Sequence, residues 1–142
     1  MRGYLLVLNV QRFDLSKHRL EIAIEDYKAA VINLDSGLYK AANNRAYYSI
    51  FHAMRAVIAL DAKDFKKHSA VISYFTQHFI NTGALNKELS KIIAKAGTIR
   101  NLSDYEDFYI ANKTETKAQV ESAKIFYEAV GNYLTKQFCE SE

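Results

Sequence analysis

The 142-residue chain contains no proline. Every position therefore keeps its backbone N–H and a free φ, and nothing obliges a helix to kink or stop. Only five glycines interrupt a chain rich in Ala, Leu, Ile, Lys and Glu, a combination that favours long helices. The length suits one domain with a real core. With 49% apolar and 25% charged residues and no low-complexity tract, the composition is globular rather than disordered.

Apolar spacing predicts five helical segments. The first runs from about residue 16 to 36, with Leu20, Ala23, Ile24, Tyr27, Ala30, Val31 and Leu34 on one face; Asp14 or Ser16 could cap its start and Gly37 suits its end. The second covers about 40 to 61, and its broad stripe of Tyr47, Ile50, Phe51, Met54, Val57 and Ile58 marks it as the central helix. The third spans roughly 67 to 81, with Val71, Ile72, Phe75, Phe79 and Ile80, and Gly83 stops it. The fourth starts at Asn86 and carries Leu89, Ile92, Ile93, Ala96 and Ile99. The fifth follows Asn112-Lys113-Thr114 and uses Val120, Ala123, Phe126, Val130, Tyr133 and Leu134. Short connections make neighbours antiparallel, so the expected fold is an all-α up-and-down bundle. Residues 1–14 form an N-terminal extension that lengthens the first helix or lies along the surface, 15–138 the helical domain, and 139–142 a tail.

Many chemistries fall away. No phosphate-binding glycine loop, dinucleotide fingerprint or nucleophile elbow is present. His18, His52, His68 and His78 are never three or four apart, and one cysteine cannot build a structural zinc site, so no metal or cofactor is expected. Cys139 cannot form an internal disulfide, which points to a reducing, cytoplasmic compartment. The apolar run from Tyr4 to Val10 is too short to span a bilayer. The net charge of +3 permits phosphate contact without demanding it.

Three polar clusters stand out. Arg45, Tyr48, His52 and Arg55 line one side of the second helix. They could hold a phosphate and stack on a base, or form a solvated face with Arg stems over apolar neighbours. Lys66-Lys67-His68-Ser69 opens the third helix, either as an anion site at its N-terminus or as a charged loop whose serine caps it. Arg100 and Asp104 are one helical turn apart in Arg100-Asn101-Leu102-Ser103-Asp104-Tyr105 and can pair. One turn earlier Gly97 would let a backbone or a ligand approach closely; the plainer reading is a helix end held by a surface salt bridge.

Together these stretches resemble a known family. Residues Ala42 to Ala56 resemble the second helix of HEPN domains, particularly the small stand-alone group encoded beside minimal nucleotidyltransferases. Phe65-Lys66-Lys67-His68-Ser69-Ala70-Val71-Ile72 with Phe75 looks like that group, as do Arg100-Asn101, Asp104-Tyr105 and Glu106-Asp107-Phe108. The likeness covers about residues 16 to 134. It implies an up-and-down bundle of four main helices plus a short one, a homodimer, and in active members a metal-independent endoribonuclease signature of an arginine, a polar residue and a later histidine. Arg100 matches the arginine and Asn101 the polar residue, but Tyr105 and Glu106 occupy the histidine's place and no histidine follows. Tyrosine, with an ordinary pKa of about 10, is a poor base at neutral pH.

The leading expectation is an RNA- or nucleotide-binding protein acting with a minimal nucleotidyltransferase in a toxin–antitoxin or defence-type module, with a degenerate ribonuclease motif. Its candidate centre is Arg100, Asn101, Asp104 and Tyr105; Arg45, Tyr48, His52, Arg55, Lys66, Lys67 and His68 would bind the nucleotide or RNA. One alternative is an active ribonuclease toxin with a shifted catalytic set, using His52 or His68 if the bundle brings either near Arg100. Another is a protein substrate that the partner modifies on a tyrosine, the Tyr105 region being the obvious place.

Overall fold

A computed structural model describes residues 2–141, with side chains over 10–140. The elements in order are α1 (Arg2–Asp35), α2 (Tyr39–Ile58), α3 (His68–Phe75), α4 (Leu89–Tyr105) and α5 (Lys113–Ser141). No strand occurs among the described residues. A 3-10 turn, Ala59–Asp61, prolongs α2, and a wider π turn, Thr76–Ile80, prolongs α3. The all-α bundle expected from the spacing is the fold observed, with α3 as its short member.

The first helix starts well before residue 16, and residues 2–14 lengthen it, one of the two forms expected for them. It is 34 residues long, about 50 Å at 1.5 Å per residue, and residues 2–13 are its opening turns. Neither Asp14 nor Ser16 caps it. Ser16 is buried in mid-helix, where its hydroxyl donates to the Ala56 carbonyl of α2. At the far end Gly37 adopts φ +76°, and the Leu38 N–H reaches back to the Asn33 carbonyl, which closes the helix as expected. Gly83 likewise takes φ +81° beyond the π turn. Asn112 accepts from the Glu115 N–H and so opens α5 with a side-chain cap, whereas Asn86 accepts from the Glu88 N–H in the turn ahead of α4, whose own N-cap, Glu88, makes no side-chain cap bond.

The central position of α2 follows from its composition. Ala42, Ala46, Ala53 and Ala56 are almost wholly buried, and small side chains there let neighbouring helices approach closely. It contacts all four other helices. Ser49 donates to the Ala23 carbonyl of α1 at 2.7 Å. Ile50, Met54, Val57, Ile58, Val71, Phe75, Phe126 and Val130 fill the centre. No described helix is long and apolar enough to cross a membrane.

Candidate functional site: a guanidinium and an imidazole around two tyrosines

The polar residues of interest gather where the C-terminal half of α4 and the start of α3 meet one face of α2. α2 is long and unbroken, so Tyr47, Tyr48, Phe51, His52 and Arg55 are presented at fixed intervals. Asn43 ties this face to α4 from below: it is buried and its amide donates to the Ser103 hydroxyl at 3.1 Å. One residue on, Asn44 Nδ2 donates to Asp104 at 2.8 Å.

Arg100 is the hub. Its Nε donates to Asp104 at 2.9 Å, and one Nη2 donates to the hydroxyls of both Tyr48 and Tyr105 at 3.2 Å. Its guanidinium carbon lies 5.3 Å, 5.5 Å and 5.2 Å from the ring centres of Tyr47, Tyr48 and Tyr105, within cation–π range. The side chain is 15% exposed. Burial opposes its charge, but Tyr48, Tyr105 and Asp104 outweigh that and raise its pKa, so it is always a cation.

His68 enters from the other side. Its Nδ1 is 3.1 Å from the Tyr47 hydroxyl, and its ring lies 4.2 Å from Phe51 and 5.7 Å from Tyr48, centre to centre. Burial, then the charge of Arg100, hold the imidazole below the ordinary histidine value. Tyr47 is 4% exposed. Burial pushes its hydroxyl up more than Arg100 pulls it down, so Tyr47 remains a neutral phenol.

The row Arg45, Tyr48, His52 and Arg55 is continuous. Arg45 stacks over Tyr48 at 5.1 Å, Tyr48 and His52 are 6.2 Å apart, and Arg55 Nη1 approaches His52 Nδ1 at 3.4 Å. The outer guanidinium groups are already engaged. Arg45 donates to Asp26 of α1 at 2.9 Å and twice to Asn44 Oδ1. Arg55 and the buried Arg19 both donate to Asp64, whose carboxyl the Arg55 hydrogen bonds hold below its usual range. His52 faces Asp26 at 3.8 Å. Burial sets its pKa below normal, against the pull of Asp26 and with the push of Arg55, Arg45 and Arg19.

Lys67 precedes α3 with extended backbone and no side-chain cap, so Ser69 does not cap that helix. Lys66 and His68 line a 450 Å³ surface cavity with Phe51, Phe65, Arg55 and Asp64. Asn101 stands apart. It lies on a separate groove with Ile72, Thr76, Ser90, Ile93 and Gly97 and makes no hydrogen bond to the Arg100 cluster. Gly97 meets no close backbone; the space over it is open. Among the described residues no group of three His, Cys, Asp or Glu side chains could hold a metal.

Spacing alone treated Tyr47 as an apolar stripe residue and overlooked Asp26, Asn44 and Asp64. A buried tyrosine must find a partner for its hydroxyl, and that was the available signal for Tyr47. The carboxylates had none, because their partners are distant in sequence.

A HEPN domain family model matches residues 16–133. The "Putative toxin MJ0605" of Methanocaldococcus jannaschii is 36% identical over 110 residues, 78% of this chain and 77% of its own length. The "Putative toxin MJ0142" of the same organism is 30% identical over 115 residues, 81% and 78% of the two chains. A "UPF0332 protein" of Thermotoga maritima is 31% identical over 90 residues, 63% and 68%.

Proposed function

The chain belongs to the HEPN domain family, and from that premise we propose that it is a toxin-type RNA-binding protein whose Arg100 centre holds a backbone phosphate. One observation carries this reading. Arg100 is oriented by a carboxylate and two phenols at a junction of α4 and α2, with three aromatic rings around its guanidinium. A fixed guanidinium suits a phosphodiester, and the exposed Tyr105 ring beside it offers a stacking surface for a base. Lys66, which lines the cavity shared with His68 and has no acidic partner among the described residues, adds positive charge, and Lys67 follows it in the chain.

The reading includes a minimal nucleotidyltransferase partner in a toxin–antitoxin or defence-type module, supported by the two relatives with toxin names. It also includes a homodimer through the α2 or α4 faces, supported by exposed Tyr105, Phe108 and Ile110 where α4 ends. The lone, exposed Cys139 supports a reducing, cytoplasmic setting.

Anisotropy of a fluorescein-labelled single-stranded RNA tests the proposal. Wild type binds with marked salt dependence. Arg100→Ala weakens binding about tenfold and lowers the salt slope by about one. No wild-type binding in low salt would overturn the reading.

A second reading rests on Tyr105, which is 67% exposed with its hydroxyl on Arg100. Attack of that hydroxyl on the α-phosphorus of a nucleoside triphosphate held by the partner, with pyrophosphate leaving and the phenol proton passing to solvent, would cover the Arg100 centre. Intact mass after incubation with partner and nucleotide should rise by one nucleotidyl group, and Tyr105→Phe should abolish the rise. An unchanged wild-type mass rejects it.

A further inference from the structure

Four elements meet beyond the C-terminal end of α2, roughly 20 Å along that helix from Tyr48 at 1.5 Å per residue. The opening turns of α1 bring Arg12 and Phe13, the 3-10 turn brings Asp61, the π turn brings Phe79, and the last turns of α5 bring Tyr133 and Gln137. These side chains line a cavity of 260 Å³. We propose that the cavity is a binding site for a free α-amino acid with an apolar side chain, its carboxylate held by Arg12 and its ammonium group by Asp61. The site stands apart from the Arg100 centre and does not depend on the RNA-binding reading.

The charges carry the argument. Arg12 is half-buried and has no ion pair or hydrogen bond among the described residues. Asp61 accepts the Tyr74 hydroxyl on Oδ2 at 2.8 Å, and its Oδ1 has no partner among the described residues. Burial, then the Asp61 hydrogen bond and charge, push the Tyr74 hydroxyl up to about 12, so the phenol remains the donor of that pair. A guanidinium and a carboxylate thus line one cavity without pairing with each other. A simple anion would answer only the first and a simple amine only the second. A zwitterion answers both.

The neighbouring charges do not change this balance. Arg12 also borders the next cavity with Arg19, Lys63 and Asp64, but Asp64 is already shared by Arg19 and Arg55. Glu140 acts on Tyr133 from the end of α5 and does not line the cavity. Burial, then Asp61 and Glu140, push the Tyr133 hydroxyl up, so it stays a neutral phenol. That hydroxyl and the Gln137 amide have no hydrogen-bond partner among the described residues. The hydroxyl can accept from the ligand ammonium group and the amide can donate to its carboxylate.

The walls and the size select the ligand further. Phe79 is 5% exposed, and its ring stands edge-on to Tyr133 with centres 6.1 Å apart. It belongs to the π turn, in which the Asn81 N–H bonds the Thr76 carbonyl at 2.8 Å, a geometry that recurs at functional sites. Phe13 supplies a second ring from α1. An aliphatic or aromatic side chain between these rings leaves water. At 260 Å³ the cavity is smaller than the roughly 300–1,000 Å³ of pockets for drug-sized ligands, which favours an amino acid over a nucleotide. A ligand here joins the start of α1 to the end of α5 and to both turns, so it binds the folded chain alone and stabilises it.

Isothermal calorimetry and thermal melts on the full chain test the proposal. The probes are L-phenylalanine, L-leucine and two analogues that keep one charge each, phenethylamine and 3-phenylpropionate. At least one amino acid should bind saturably and raise the melting midpoint by about 3 °C at saturation. Both analogues should bind about tenfold more weakly than L-phenylalanine, because each leaves one protein charge unanswered. Arg12→Met should erase the preference for L-phenylalanine over phenethylamine. Asp61→Asn should erase the preference over 3-phenylpropionate. A misfolded variant would lose every probe alike, and melts without ligand check that each variant is folded. Absence of saturable binding by both amino acids overturns the proposal. So does an analogue that binds wild type as tightly as L-phenylalanine, or unchanged preferences in both variants.

Discussion

Asp104 illustrates how one side chain sets the working charge of the centre. Its carboxylate takes Arg100 Nε and the Asn44 amide together, so the guanidinium is aligned and partly neutralised by the same group. Side-chain exposures of 15% and 23% for the pair place it between surface and core, where such a pair contributes modestly, roughly 1 kcal/mol or less. Removing the charge but keeping the shape should therefore free Arg100 for phosphate. Asp104→Asn is expected to tighten RNA binding by about two- to fivefold at low salt, read by anisotropy. Weaker binding would show that aligning Arg100 outweighs neutralising it.

The helices owe their ends to a few local choices. Gly37 is left-handed with nothing within 4 Å of where a Cβ would stand, so Gly37→Ala introduces backbone strain and no clash. The expected loss is about 1–2 kcal/mol in urea unfolding; an unchanged midpoint would mean the turn relaxes freely. Asn112 caps α5 through the Glu115 N–H at 2.8 Å, and Asn112→Ala should cost about 1 kcal/mol. The start of α3, like those of α2 and α4, is held without a side-chain cap. His68, its first helical residue, is held by contacts with α2 instead. A helix end stabilised by a neighbour rather than by its own cap places an imidazole beside two tyrosines of another element.

The whole bundle depends on aromatic anchors shared between helices. Phe126 of α5 is fully buried and lies 5.7 Å from Phe75 of α3, ring to ring. Phe126→Ala is expected to cost about 3–5 kcal/mol, seen as a large fall in the thermal midpoint. The pH dependence of stability has a definite sign. His52 and His68 both sit below the ordinary histidine value in the folded chain, so the unfolded chain takes up protons first as pH falls. Stability is complete above about pH 6.5 and declines as pH drops through the lowered folded values. Melts at pH 7.5 and 5.5 should show this, with a smaller difference in His68→Gln. Equal melts at both pH values would contradict the burial described for these rings.

Helix type, order and core faces were legible from residue spacing, because a stripe of apolar side chains at helical period needs only the local chain to be recognised. The same holds for Gly37, and for the Arg100–Asp104 pair one turn apart. The start of α1 was not legible: nothing local stops a proline-free segment, and Ser16, a capping residue by type, is instead buried against Ala56. The composition of the site was legible only in part. Arg100, Tyr48, Asp104 and Tyr105 do meet, whereas Asn101 turns to another groove. That His68 and not His52 keeps an unpartnered nitrogen beside Arg100 depends on where α3 docks on α2 and on Asp26 arriving from α1. Those contacts join residues 21 and 26 positions apart, and linear spacing carries no information about how separate helices rotate against one another.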